Sequence, residues 1–232
     1  MTYPKSVLLK RLSLVFLSTV VLSLICYYFL DKPIAYWFAH HQPVPHNLLL
    51  FFTYIPKAFD VVAALAVFVV HIFSWVIGRV PTLLYNLTLT SITLVITDFW
   101  TEWSKFLFGR YWPLTWTVDH NPSLIHTNDY GFHFLASKTE AFQAFPSAHT
   151  ALTIASVTFL ALRYPILKIP AIVICIVVPL SLVALNHHFL GDTIAGAGLG
   201  WMIAYSVDTF NKEHVLNYQR RLPLDSSQSY NE

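Results

Sequence analysis

An all-α fold, a polytopic membrane bundle with six transmembrane helices, is predicted by three features of the 232-residue sequence: its apolar excess, the runs that gather this excess, and the distribution of its cations. Hydrophobic residues make up 56% of the chain and charged residues 11%, more apolar surface than a water-soluble domain of this length can bury. Four runs exclude charge altogether: Leu12–Leu30, Val61–Gly78, Val80–Thr97 and Ile169–Asn186. Each is long enough to cross a bilayer core as a helix. Ala141–Leu162, marked by Ser147 and His149, and Phe189–Val207, marked by Asp192, complete the predicted six.

Lys5, Lys10 and Arg11 precede the first run as in a secretory leader, but Cys26, Tyr27 and Tyr28 offer no small-residue cleavage site, so the run is read as a retained helix. A cytoplasmic N-terminus places Lys5, Lys10, Arg11, Arg79, Arg163, Lys168, Lys212, Arg220 and Arg221 inside. Lys32, Lys57, Lys105, Arg110 and Lys138 then lie outside. This excess of inner cations predicts that both termini are cytoplasmic. Residues 1–210 read as one membrane domain, and 211–232 as a cytoplasmic tail expected to be disordered.

A net charge of +2, carried by scattered cations, does not suggest a nucleic-acid partner, and neither that nor an obligate protein partner is expected. Cys26 and Cys175 fall inside apolar runs without metal-type spacing and read as small hydrophobes. Two outer segments, Asp31–Asp60 and Gly109–Glu140, are expected to lie between spans. Tyr36, Trp37, Phe38, Trp100, Trp103, Trp112 and Trp116 suit the headgroup level, where amphipathic rings settle.

Under this topology the outer ends of the spans collect Asp98, Glu102, Lys105, Arg110, Ser147, His149, Asn186, His187, His188 and Asp192. Ionisable groups at membrane depth are costly and commonly mark function, with interfacial snorkelling as the competing account. The spacing of His188 and Asp192 puts the carboxylate where it can orient the imidazole, leaving the other ring nitrogen to attack phosphorus or bind metal. In FPSAHT, Pro146 and Ser147 open an apolar helix whose first N–H groups can receive phosphate, and His149 in the first turn can act as a general acid. The alternative there is an ordinary Ser cap beside an interfacial His. Lys105 and Arg110, within KFLFGRYWP, bring two cations to the same end.

Taken together, residues 105–113, 146–149 and 181–192 resemble, in order, the three signatures K-x6-R-P, P-S-G-H and S-R-x5-H-x3-D of the type 2 phosphatidic acid phosphatase family. The resemblance implies a multi-pass membrane lipid phosphatase in which His188 is the nucleophile of a phosphohistidine, Asp192 its orienter and His149 the acid to the leaving oxygen. Lys105 and Ser147 would bind phosphate, and no metal or other cofactor would be needed. The compact form looks like the bacterial branch, with the site facing the periplasm from the inner membrane. Trp112 and Leu182 stand where the family has arginine, and Ala148 where it has glycine. Arg110, Ala148, Asn186 and His187 are therefore expected to complete the phosphate site.

Asp98 and Glu102, one or two turns before Lys105, are expected to hold Lys105 and Arg110 in place. Gly196, Gly198 and Gly200 lack the strand context of a nucleotide fingerprint and are read as sites of close helix packing. Undecaprenyl diphosphate, phosphatidylglycerol phosphate, phosphatidic acid and lipid A phosphate are the substrates the resemblance implies. A rival reading, supported by the two absent arginines, is a weakened relative that binds or translocates phospholipid. A third, by resemblance to soluble haloperoxidases, has the histidines bind a metal or vanadate.

Overall fold

The computed structural model describes residues 5–77, 80–114, 122–136 and 139–221. Arg79, Trp116, Lys138 and tail residues 222–232 lie outside the described residues. Among those described, the chain runs through α1 (Lys5–Ile25), a π turn (Cys26–Leu30), α2 (Asp31–His40), α3 (His46–Thr53), α4 (Ile55–Ile77) and α5 (Thr82–Phe108). After the short α6 (Leu124–Thr127) come α7 (Ala148–Arg163), α8 (Lys168–Ala184) and α9 (Leu190–Arg221).

Among the described residues, four helical stretches have the length and hydropathy to cross a membrane: Lys5–His40, His46–Val76, Thr82–Phe108 and Pro165–Ala184. With outward-facing side chains such as Leu14, Phe68, Trp75 and Ile172 left without cover by the bundle, this makes the chain an integral membrane protein. The expected count of six is met by four on these criteria. α7 is apolar but has 16 residues, roughly 24 Å at 1.5 Å per residue, short of a hydrocarbon layer about 30 Å thick.

Segment Asp31–Asp60, expected as an outer loop, is mostly helix. Charge at Asp31 and Lys32 ends the apolar run but not the helix, because Asp31 turns inward to a cation described below. α1 packs on α9 without fully burying any of its residues, whereas Cys26, Asp31 and Ala35 are all buried, so the deepest part of this first column begins at the π turn.

α5 is also longer than the run Val80–Thr97 that predicts it, and carries Asp98, Glu102 and Lys105 on its last turns. Its interior is polar for a membrane helix, with Thr90, Thr93, Thr97 and Thr101 buried. Each of these hydroxyls donates to the carbonyl four residues earlier at 2.7–2.9 Å, so no side-chain donor is left facing an apolar neighbour.

The centre of the bundle is the contact of α7 with α9, flanked by α1, α5 and α8. A Cβ at Gly196 or Gly200 would collide with the carbonyl of Ser147 or Ala151, and one at Gly198 with the side chain of Thr19 on α1. The glycine cluster is thus close helix packing, as its spacing predicts. α9 runs on past residue 210 to Arg221, and residues 211–221 are helical rather than part of a disordered tail. Asp208 helps to hold it there, pairing with Arg163 of α7 at 2.9 Å and with Lys212 one turn on at 2.7 Å.

Candidate active site

Two helix starts and one turn build the site. Ser147 caps α7, its Oγ accepting from the Thr150 N–H at 3.3 Å, and Ala148 and His149 follow in the first turn. α9 starts at Leu190, and Asp192 in its first turn accepts from the Phe189 N–H at 2.9 Å, the reaching-back half of a capping box. The Ser147 N–H donates to the Asp192 carbonyl at 3.0 Å, locking the two helix starts together. His188 stands in the turn between α8 and α9, so it and Asp192 do not share a helix face.

The segment after α5 supplies the third wall. Gly109, at φ 45°, ends α5 where an added Cβ would strike the His133 carbonyl and Ala136. Arg110 then pairs through its backbone with 142–144: its N–H donates to the Phe142 carbonyl at 2.9 Å and its carbonyl accepts from the Ala144 N–H at 3.1 Å. This short ladder aims the Ala144 carbonyl at His188, whose Nδ1 lies 2.9 Å from it.

A carbonyl only accepts, so Nδ1 carries the proton, and Nε2 of a neutral ring holds the lone pair. Burial, reinforced by the charge of Lys105 and resisted by the Ala144 hydrogen bond, lowers the His188 pKa to about 3. His188 is accordingly neutral at pH 7. Asp192, expected as its orienter, stands with Oδ2 3.8 Å from Nδ1, outside hydrogen-bond range. Ala144 takes the orienting bond, because the Asp192 carboxylate is drawn to Arg110.

Around His188 the structure brings together His149, ring centroids 6.5 Å apart, and Trp112, centroids 5.0 Å apart. Trp112 is therefore a wall beside His188, fixed by its indole N–H donating to the Glu140 carbonyl at 2.6 Å. Lys105, on the last turn of α5, pairs with Glu102 at 2.6 Å, as expected from their spacing. Its charge is felt at both His188 and His149. His187 flanks the turn, its pKa lowered to about 4 by burial and by the neighbouring His188 and His149.

Arg110 and Asn186 do not stand where the sequence places them. Asn186 adopts a left-handed φ of 53° and donates from Nδ2 to the Ala35 carbonyl at 3.1 Å, fixing the turn to the first column. Arg110 is 1% exposed, with NH1 on Asp192, NH2 on Asp31 at 2.7 Å, and the Tyr130 hydroxyl at 3.0 Å. Burial opposes its charge, but Asp192 and Asp31 outweigh that and hold the guanidinium above its ordinary pKa. Both terminal nitrogens are committed to carboxylates, and the Nε–H, which has no hydrogen-bond partner, is buried with the rest of the side chain. Leu182, at the other absent arginine, is fully buried in the core.

Asp31 and Tyr130 are the residues that sequence reasoning missed. The hydrophobic run that ends at Leu30 hides Asp31 as the edge of a loop, and only its position one turn below a helix-borne Ala35 hints that it faces inward.

The model of the PAP2 superfamily matches residues 81–214, which hold all three signature segments. Among solved structures, the chain resembles the crystal structure of a transmembrane PAP2-type phosphatidylglycerolphosphate phosphatase from Bacillus subtilis, with TM-score 0.53 and 20% identity over 87% of this chain and 96% of that one. No match was found among curated protein sequences. At that identity the likeness is one of fold, but the family match spans more than half of the sequence and contains His149, His188 and Asp192: the chain belongs to the PAP2 superfamily.

Proposed function

We propose that the protein is a membrane lipid phosphatase that removes phosphate from a lipid phosphate or diphosphate presented at the outer, periplasmic face, through a phosphohistidine on His188. The observation that carries this reading is the state of His188: a neutral ring, fixed through Nδ1 by the Ala144 carbonyl, with Nε2 unprotonated and His149 beside it. Family membership and the phosphatase named among structures of the same fold support the reaction class.

In this reading the negative charge of the bound phosphate favours the protonated form of His149; Nε2 of His188 forms a bond to phosphorus as the bond from phosphorus to the lipid oxygen breaks, and the His149 imidazolium gives that oxygen its proton. Water then attacks phosphorus, His149 takes its proton, the N–P bond breaks, and inorganic phosphate leaves. The charge that develops on the imidazole is met by Asp192, 3.8 Å from Nδ1. Lys105 and the first N–H groups of α7, near Ala148, supply positive potential for the phosphoryl oxygens. Ser147 shapes that end of the helix as its cap.

The test is phosphate release by detergent-purified protein, with EDTA present, from undecaprenyl diphosphate, phosphatidylglycerol phosphate, phosphatidic acid and lipid A phosphate. Release from at least one lipid, lost in His188→Ala and insensitive to EDTA, supports the reading and names the lipid. Folded protein that binds one of these lipids without releasing phosphate would instead favour the binding or translocating relative, to which Trp112 and Leu182 in the arginine positions point.

A further inference from the structure

The structure assigns to Asp31 a role as positioning residue of the active site: it holds, from the first membrane column, both the cation that neutralises Asp192 and the turn that presents His188. This rests on the phosphatase reading given above. Four observations converge on it.

First, the two carboxylate oxygens of Asp31 have different duties. Oδ2 accepts from Arg110 NH2 at 2.7 Å, and Oδ1 accepts from the Gly191 N–H at 2.9 Å. One side chain thus grips both the segment after α5, which carries Arg110 and Trp112, and the start of α9, three residues beyond His188.

Second, the residue is turned inward by a local departure from α geometry. The π turn Cys26–Leu30 directly precedes it, and the column that fully buries no residue of α1 buries Asp31 to 1% exposure. π turns inside helices are rare and frequent at functional sites.

Third, the space at the contact is tight. A Cβ on Gly191 would come within 3.0 Å of the Asp31 carboxylate and 3.3 Å of Cys26, so the backbone of α9 lies directly on this column.

Fourth, the cluster has one cation for two carboxylates. Arg110 sits between Asp31 and Asp192, with aromatic rings of Tyr27, Tyr130, Phe132 and Phe189 4.3–5.3 Å from its guanidinium carbon. A guanidinium shared in this way leaves Asp192 incompletely neutralised. That residual negative charge is what the imidazole of His188 requires while it carries the phosphoryl group. Without Asp31, Arg110 would pair with Asp192 alone, and the turn at Gly191 would lose its anchor.

Asp31 touches neither substrate nor reacting nitrogen, so its loss should appear in turnover rather than in substrate affinity. The experiment compares wild type, Asp31→Asn and Asp31→Glu in detergent on whichever of the four lipid phosphates the wild type hydrolyses, recording kcat, KM and the thermal midpoint. Asp31→Asn is expected to lower kcat 30- to 300-fold with KM within threefold of wild type. Asp31→Glu, which restores the charge, is expected to recover at least a third of the wild-type kcat. Unchanged kcat in Asp31→Asn overturns the assignment while the phosphatase reading stands. Equal loss in both variants together with a lowered midpoint makes Asp31 a strut of the fold and overturns it too. A wild type inactive on all four lipids overturns the phosphatase reading, and the assignment with it.

Discussion

Two polar clusters lie within a few residues of one another and are built on opposite terms. At the histidine cluster, His188 faces both His149 and Trp112, is neutral, and keeps a ring nitrogen unprotonated. In the arginine cluster, Asp31, Arg110 and Asp192 are charged, paired and sealed among aromatic rings. A reactive group must retain an unsatisfied valence, whereas a buried charge must not. The contrast assigns chemistry to the first cluster and placement to the second, with Asp192 as the member that belongs to both.

That division is broken or sharpened by substitutions that should fail differently. Replacing His188 with Ala should reduce phosphate release by roughly 10⁴-fold or more while the protein stays monodisperse with a thermal midpoint close to wild type. Retained activity would remove the histidine cluster from the chemistry. Arg110→Met should do the reverse. Two buried carboxylates would lose their cation, costing about 3–5 kcal/mol, visible as a lowered midpoint or loss of monodisperse protein. A stable Arg110→Met protein with a raised KM would return Arg110 to the phosphate-binding role expected from the sequence.

Acid should weaken the fold through the histidine cluster. The folded-state pKa of His188, about 3, lies below the unfolded value near 6.5, so the unfolded chain binds a proton that the folded one refuses. The stability this ring contributes is full above pH 6.5 and falls by up to about 1.4 kcal/mol per pH unit as pH drops below it. Denaturation at pH 7 and pH 5 should show that loss in the wild type and a shallower one in His188→Asn; equal slopes would contradict it. Smaller still, Lys105→Met should raise KM about tenfold with little change in kcat, as expected for one charge-assisted phosphate contact worth roughly 1.5 kcal/mol. Glu102→Gln, whose carboxylate is exposed, should change KM by less than threefold, since pairs of that kind contribute about 0–1 kcal/mol.

Much of this was legible in the sequence because it is local. The three signatures, the cap at Ser147, the pairing of Glu102 with Lys105 and the close packing at Gly196 and Gly200 all depend on residues within a turn or on one helix face. What was not legible depends on contacts distant in the chain. Asp31 and Arg110 are 79 positions apart, and Ala144 and His188 are 44 apart, the latter joined through a backbone carbonyl that no side-chain pattern betrays. Helix length was underestimated for a related reason. Hydropathy ends at the first charge, whereas a helix ends only where its backbone does, and Asp31 and Glu102 both lie inside helices.

The π turn at Cys26–Leu30 has a consequence for how this chain can vary. Relative to a regular helix it behaves as one residue inserted into the count, so that Asp31, five positions on from buried Cys26 and bonded to its carbonyl, lies close to the same face. Relaxing the five residues to α geometry at constant length would turn Asp31 by about 100°, away from Arg110, whereas deleting one of them while the turn relaxes would leave its direction nearly unchanged. Sequence change in this stretch is therefore constrained in the backbone it must adopt: CYYFL can exchange side chains, but its number of residues and its π geometry must stay matched for a buried carboxylate to keep its direction.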